Sequence, residues 1–226
     1  LLDGRPLNDP VSGWVDLSGI SAERIKQVKV VKGSGAVQYG DNTSGGVVVS
    51  KQGEYELVRR GDGSIWVGIG ADGSMNLWDT GIVAPEGAWT HVTVVFDRGV
   101  IRAYEDGAEA SSTNLGAGKT AIEDDVPGVD DLRIGGRQQG DGDAQNFEGR
   151  IDEVRVWTVA RSETQVTDTW NRALGGDEDG LAGYWRFEEQ IDADPLEDGD
   201  QVRDLTANRN DGTLRNQLGF ASAESG

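Results

Sequence analysis

The sequence has no cysteine and a single histidine, His91, in 226 residues. Without thiols there are no disulfides, no thiolate nucleophile and no cysteine-ligated zinc or iron–sulfur site. One imidazole cannot build a multi-histidine metal centre. Positive charge is also scarce: 21 Lys+Arg against 40 Asp+Glu leave a formal net charge of −19. So acidic a surface disfavours nucleic acid and anionic lipid, which are first captured by clustered cations. It is compatible with divalent cations or a salty exterior. No apolar run approaches the ~20 residues of a membrane helix. No signal peptide or initiator Met opens the chain, and Leu1 has the character of an internal position, so a processed product or an excised piece is expected.

What is present suits a β-rich body. A chain of this length can bury roughly 70% of its unfolded surface. Hydrophobic residues make up 36%, with 7 Trp, and 34 Gly supply turns. The first 50 residues are close to neutral and the acidity lies almost entirely after Lys51. Within them, Ser21 can cap a short helix over 22–27 with Ile25 on its apolar side. Val28-Lys29-Val30-Val31 reads as a strand, and Val47-Val48-Val49 as a fully buried one.

After Lys51 the pattern is strand, turn, strand. Tyr55–Val58, Ile65–Ile69 and Met75–Trp78 are separated by Gly61-Asp62-Gly63 and Ala71-Asp72-Gly73; Trp89–Phe96 and Val100–Tyr104 follow, and then a tight turn at Glu105-Asp106-Gly107-Ala108. Asp-Gly between alternating runs is a strong hairpin signal, because glycine tolerates the positive φ of a primed turn. Leu132–Ile134, Ile151–Trp157, Leu181–Phe187 and Thr213-Leu214 complete the set. Short strands at this spacing with Gly-rich turns indicate a sandwich or jelly roll. One helix interrupts them. Ser162 with Gln165 three residues on forms a capping box, Val166, Trp170 and Leu174 make an apolar stripe, and Gly175-Gly176 is its expected stop.

Three stretches now become recognisable: Trp89–Asp97 running on to Ile101–Gly107; Leu132–Gly136 with Phe147–Trp157 and Ala160–Thr164; and Leu181–Glu188 with Asp204–Thr213. Together they resemble a laminin-G-like jelly roll of the concanavalin A-like superfamily, in its pentraxin-related branch, over about residues 50–220. Leu2–Pro6, Ile20–Lys32, Gly33–Gly40 and Gly45–Val49 resemble instead the later half of a TonB-dependent receptor plug domain. The expected fold is therefore mainly β: a two-sheet antiparallel jelly-roll sandwich with one short helix over 51–226, preceded by a small α+β plug-like segment over 1–50. Plug-like sequence stands where the family has its early strands. The gap would be filled by those residues themselves, by the C-terminal strands, or by a strand donated from a second copy.

Catalysis finds little support. Glucan-cutting members of this superfamily carry Glu-x-Asp-x-x-Glu on one strand, and no Glu of this sequence opens that pattern. Asp152 and Glu153 are adjacent and, on a strand, would face opposite sides; they read as structural, as does His91. Gly33-Ser34-Gly35 lacks the Lys-Ser/Thr pair of a phosphate loop. Calcium is the most reasonable ion. The loop over 138–146 offers oxygens at alternating positions, and the pentraxin resemblance implies Gln139, Asp141 and Asp143 as ligands; a solvated acidic turn is the alternative. Asp177–Asp179 and Asp192–Asp200 are rival loops, whereas Asp204, Asn208, Asn210 and Asp211 suit bonding to their own backbone. For stacking on a sugar ring, Trp78 at a loop edge is the first candidate and Trp14 the second. Trp66, Trp89, Trp157 and Trp185 read as core.

The expectation is a non-catalytic recognition or adhesion module of a bacterial surface or secreted protein, extracellular, binding a glycan or a surface protein, with no nucleic acid and no direct membrane span. Two alternatives stand beside it: a structural subunit of a fibre or layer assembled by strand complementation, and a fragment of a TonB-dependent outer-membrane receptor.

Overall fold

Alternating apolar and polar residues set the architecture, and the turns between them fix its order. The computed structural model describes residues 14–17, 27–30, 46–124, 131–137, 146–147, 149–187 and 200–215. In chain order the strands are β1 (Trp14–Leu17), β2 (Gln27–Val30), β3 (Gly46–Lys51), β4 (Tyr55–Arg59), β5 (Ser64–Ala71), β6 (Ser74–Val83), β7 (Val92–Asp97), β8 (Val100–Glu105), β9 (Ala108–Asn114), β10 (Leu132–Ile134) and β11 (Val154–Trp157). After the helix α1 (Glu163–Thr169) come β12 (Leu181–Trp185), β13 (Gln201–Val202) and β14 (Gly212–Arg215). They form two antiparallel sheets. One has eight strands in the order β13-β14-β1-β10-β3-β4-β5-β6; the other has six, β12-β11-β2-β7-β8-β9.

The early edge is completed from within the chain. β1 lies between β10 and β14, β2 between β7 and β11, and β3 between β4 and β10. Residues ahead of Lys51 thus occupy internal positions in both sheets, and the 50/51 boundary falls inside β3. The apolar run Val47–Val49 lies in that strand, which is buried along its whole length. The helix expected over 22–27 lies outside the described residues, apart from Gln27, which opens β2.

Side chains from the two inner faces make the core. Val49, Leu57, Ile65, Val67, Ile69, Leu132 and Ile134 of the larger sheet meet Val92, Val94, Phe96, Ile101, Ala103, Val154, Val156 and Trp185 of the smaller. Burying each such side chain contributes roughly 1.5–3 kcal/mol before conformational entropy is set against it. The β8–β9 turn uses Asp106 and Gly107, both at positive φ (46° and 83°). At Gly107 a Cβ would also collide with the Trp170 indole, so glycine is required there by backbone and by packing.

The helix forms where its capping box predicts. The Ser162 side chain accepts from Gln165 N–H at 3.2 Å, and the Gln165 side chain accepts from Ser162 N–H at 2.9 Å. It ends at Thr169, earlier than the Gly175-Gly176 stop. The reason is tertiary: the fully buried Arg155 guanidinium donates to the carbonyls of Thr169 (3.0 Å) and Arg172 (2.6 Å). It thereby satisfies the acceptors that a further turn would have used.

Candidate ligand-binding face

The two outer faces of the sandwich differ completely. Over the six-stranded sheet, α1 and the loop behind it cover the surface: Val166 packs on Val95 and Tyr104, and Leu174 and Leu205 pack on Trp157, Leu181 and Tyr184. A polar network is sealed beneath. The Glu153 carboxylate accepts from Arg155 (2.5 Å), from the Tyr184 hydroxyl (2.6 Å) and from Arg186 (2.9 Å). Burial, with the Glu153 hydrogen bond next, pushes the Tyr184 phenol up to about 12. Glu153 sits just before β11, at φ 54°, rather than inside the strand expected over 151–157. The alternation argument for it therefore does not apply; the left-handed backbone turns its carboxylate onto the two arginines. Asp152 Oδ1 accepts from Glu153 N–H at 2.9 Å. His91 is fully buried, 3.4 Å from Thr93 Oγ1 and 5.7 Å, ring to ring, from Trp170. Glu153 and His91 are thus buried, and Asp152 is half-buried.

Among the described residues the outer face of the eight-stranded sheet is open only toward β6: β3 is buried along its length and Arg133 of β10 is buried, whereas Trp66 is half-buried and Met75, Leu77 and Asp79 are exposed. Period two decides who stands on it. On β5, Ile65, Val67 and Ile69 take the core side, so Trp66, Gly68 and Gly70 take the other. Their register partners follow: Glu56 and Val58 on β4, Leu77 and Asp79 on β6. Glu56 is held by Arg137, with Nε–H at 2.8 Å and Nη2 at 2.5 Å from Oε2. Toward the sheet centre the outward positions become buried: Ser50 of β3, in register with Glu56, and then Arg133 of β10, bonded to Asp131 at 2.9 Å. Trp66 is half-buried; the exposed Arg60 guanidinium lies 3.6 Å from its ring centroid, a cation–π stack. The face thus offers an indole platform, a carboxylate–guanidinium pair with fixed hydrogen-bonding directions, and an apolar rim at Met75 and Leu77.

The residues singled out in the sequence fall elsewhere. Trp78 pairs with Val67 and packs, partly buried, against the core cluster. It stands on the side of β6 opposite Leu77. Trp14 opens β1, in register with Arg215. Trp157 and Trp185 are core, while Trp89 is half-buried. Of the four tryptophans read as core, Trp66 stands on the outer face, and its signal was present: Ile65, Val67 and Ile69 cannot share the inner face unless Trp66 leaves it. Gln139, Asp141 and Asp143 lie outside the described residues. Among the described residues no group of three His, Cys, Asp or Glu side chains is placed to hold a metal ion. Glu178 of the rival acidic loop accepts from the N–H groups of Gly175 and Gly176. Asp204 is buried and accepts from Tyr184 N–H, Thr206 N–H and Oγ1, and Asn210 N–H, the self-bonded turn that its sequence suggested.

A family model described as the concanavalin A-like lectin/glucanases superfamily matches residues 37–167, more than half of the chain. The chain belongs to that superfamily. The TonB-dependent receptor plug domain model matches residues 1–47, a stretch that also contains β1, β2 and the start of β3. Among solved structures, a putative carbohydrate binding protein from Bacteroides ovatus superimposes with a TM-score of 0.65 at 19% identity, over 91% of this chain and 56% of that one. The CBM40 of the Ruminococcus gnavus IT-sialidase, bound to α2,6-sialyllactose, gives 0.54 at 15% identity, covering 70% of this chain and 92% of the other. Domain 4 of AbnA, a GH43 extracellular arabinanase from Geobacillus stearothermophilus in complex with arabinotriose, gives 0.50 at 20%, over 74% and 75%. At these identities the likeness is one of fold. A curated relative, adhesion G-protein coupled receptor V1 of Danio rerio, is 26% identical over 106 residues, 46% of this chain and 2% of its own length.

Proposed function

We propose that this chain is a non-catalytic glycan-binding module that takes its ligand on the open face of the eight-stranded sheet, around Trp66, Glu56 and Arg137. The observation that carries this is the contrast between the two faces: helix and loop seal one, while the other presents a tryptophan beside a fixed ion pair. A pyranose needs a flat apolar surface for its C–H face and planar polar groups for its hydroxyls. An indole supplies the first, and a carboxylate with a guanidinium the second. Arg60 is exposed and has no ion pair among the described residues, so its place on the indole can be ceded to a sugar ring at small cost. The structural neighbours, carbohydrate-binding modules among them, support the same reading. The Glu153 carboxylate is locked between two arginines, which speaks for binding without catalysis.

A module of this kind works outside the cell, secreted or on a bacterial surface. The plug-like match adds an association with the outer membrane to that reading. No helix among the described residues is long and apolar enough to cross a membrane.

A glycan array, run with and without calcium, tests the proposal. The expected result is at least one class of bound glycan and a loss of tenfold or more in affinity for Trp66→Ala, about 1.4 kcal/mol, with little change in melting temperature. An array blank under both conditions, or a Trp66→Ala variant that binds as tightly as the wild type, overturns it.

A further inference from the structure

A sandwich of two open sheets has four edges, and this fold treats them unequally. β13 is an edge of only two residues. β12 is capped along its free side: Asp204 accepts its Tyr184 N–H at 3.0 Å, Leu205 N–H donates to Tyr184 O at 2.9 Å, and the Asn208 and Asn210 amides donate to Ala182 O at 2.9 and 3.1 Å. β9 presents small and polar residues, Ala-Glu-Ala-Ser-Ser-Thr-Asn. The fourth edge, β6, is ten residues long. Its second half meets β9, where the Ser111 hydroxyl donates to Thr80 O and Thr80 and Ile82 are buried. Its first half carries Met75 at 39% and Leu77 at 57% exposure.

Among the described residues the backbone of that first half is also available. Gly70 of β5 donates to Glu54 O and accepts from Glu123 N–H, so its polar groups point away from β6. Alternation in an antiparallel ladder then turns Val67 and Ile69 toward β6, where Trp78 and Asn76 face them. The N–H and C=O groups of Met75, Leu77 and Asp79 are left directed at the free edge. Proteins guard such edges with charged side chains, lysine above all, or with proline or a bulge; Ser74–Asp79 has no lysine or proline of its own, its one charge is Asp79 at the end, and Lys119 Nζ donates to the Asn76 side chain, which points to the opposite side of the strand from Leu77. Charge names the occupant. Between Gly63 and Val83 the only ionisable side chains are Asp72 and Asp79. In a chain of −19 this is a stretch over which two identical acidic bodies can approach with little repulsion.

We propose that the first half of β6 is a homodimer interface: β6 of one copy pairs antiparallel with β6 of a second copy, about a two-fold axis at Leu77. In that register Leu77 faces its own counterpart and Met75 faces Asp79. The residues bearing the free backbone groups are then the ones that bond, and both eight-stranded sheets fuse into one. The axis stands perpendicular to the sheet, so the two open faces look the same way. The dimer needs no glycan and is measured without one, so its failure and that of the binding reading are separate results.

Sedimentation of the full chain from low micromolar to about 100 µM should show a reversible monomer–dimer equilibrium, weakened at least tenfold by Leu77→Asp. Leu77→Cys gives the chain its sole thiol. On mild oxidation it should form a disulfide-linked dimer faster than Ser112→Cys, an exposed control on β9. A wild type that stays monomeric at the highest concentration, association untouched by Leu77→Asp, or equal cross-linking of the two cysteine variants overturns the proposal. The cysteine pair keeps the test decisive if Leu77→Asp folds poorly.

Discussion

The two outer faces put charge to opposite uses. Under α1, Glu153, Arg155 and Tyr184 are withdrawn from water and bonded to one another. On the open face, Glu56 and Arg137 make an ion pair of similar geometry; the Glu56 side chain is as withdrawn as that of Glu153, 11% against 10% exposed, and Arg137 stays in reach of solvent at 34%. The same chemistry is a clamp in one place and the proposed binding surface in the other; what separates them is how many groups hold the carboxylate, three for Glu153 and one for Glu56. A carboxylate whose lone pairs are taken by its own fold has nothing left for a ligand, whereas one held by a single guanidinium keeps lone pairs for hydroxyls.

The largest test of this contrast is to truncate one carboxylate on each face. Glu153→Ala leaves two guanidiniums facing a buried hole and should cost about 3–5 kcal/mol of unfolding free energy, by the usual penalty for breaking a buried pair. Glu56→Ala should cost under about 1 kcal/mol. Urea unfolding of both variants measures the two values; equal costs would erase the distinction. A second test uses pH. Tyr184 has its folded-state pKa raised to about 12, and that of the buried Tyr55 is also raised, by burial first and by Glu54 next. A phenol harder to ionise in the folded than in the unfolded state contributes stability that is intact below about pH 10 and lost as pH rises toward 12. Thermal midpoints should fall over that window, and Tyr184→Phe should flatten part of the fall. The smallest effect belongs to the covering layer itself: Ser162→Ala removes the helix cap and should cost about 1 kcal/mol, read as a shift of the urea midpoint without loss of glycan affinity.

Legibility followed the range of the interactions. The Ser162–Gln165 box and the Asp106-Gly107 turn are decided by neighbours within a few residues, and both stand as read. The stop of α1 was not legible, because it is Arg155, placed by another strand, that takes the carbonyls of Thr169 and Arg172. β1 and β2 are four residues each, and their place inside both sheets depends on partners far along the chain. A plug-like local pattern and a jelly-roll strand are compatible descriptions of so short a segment. On the open face the alternation around Trp66 carried the answer, yet a tryptophan in a strand reads as core until its neighbours are counted. Trp78, chosen for its place near a turn, shares its side of β6 with buried residues.

The order of strands has a consequence for synthesis. β1 is made well before one of its neighbours, β14, which holds Arg215 opposite Trp14, so a nascent chain cannot close its larger sheet until β14 has emerged. Such long-range pairing is slow to form. Until then the groove awaiting β14 is a surface that chaperones or proteases can reach.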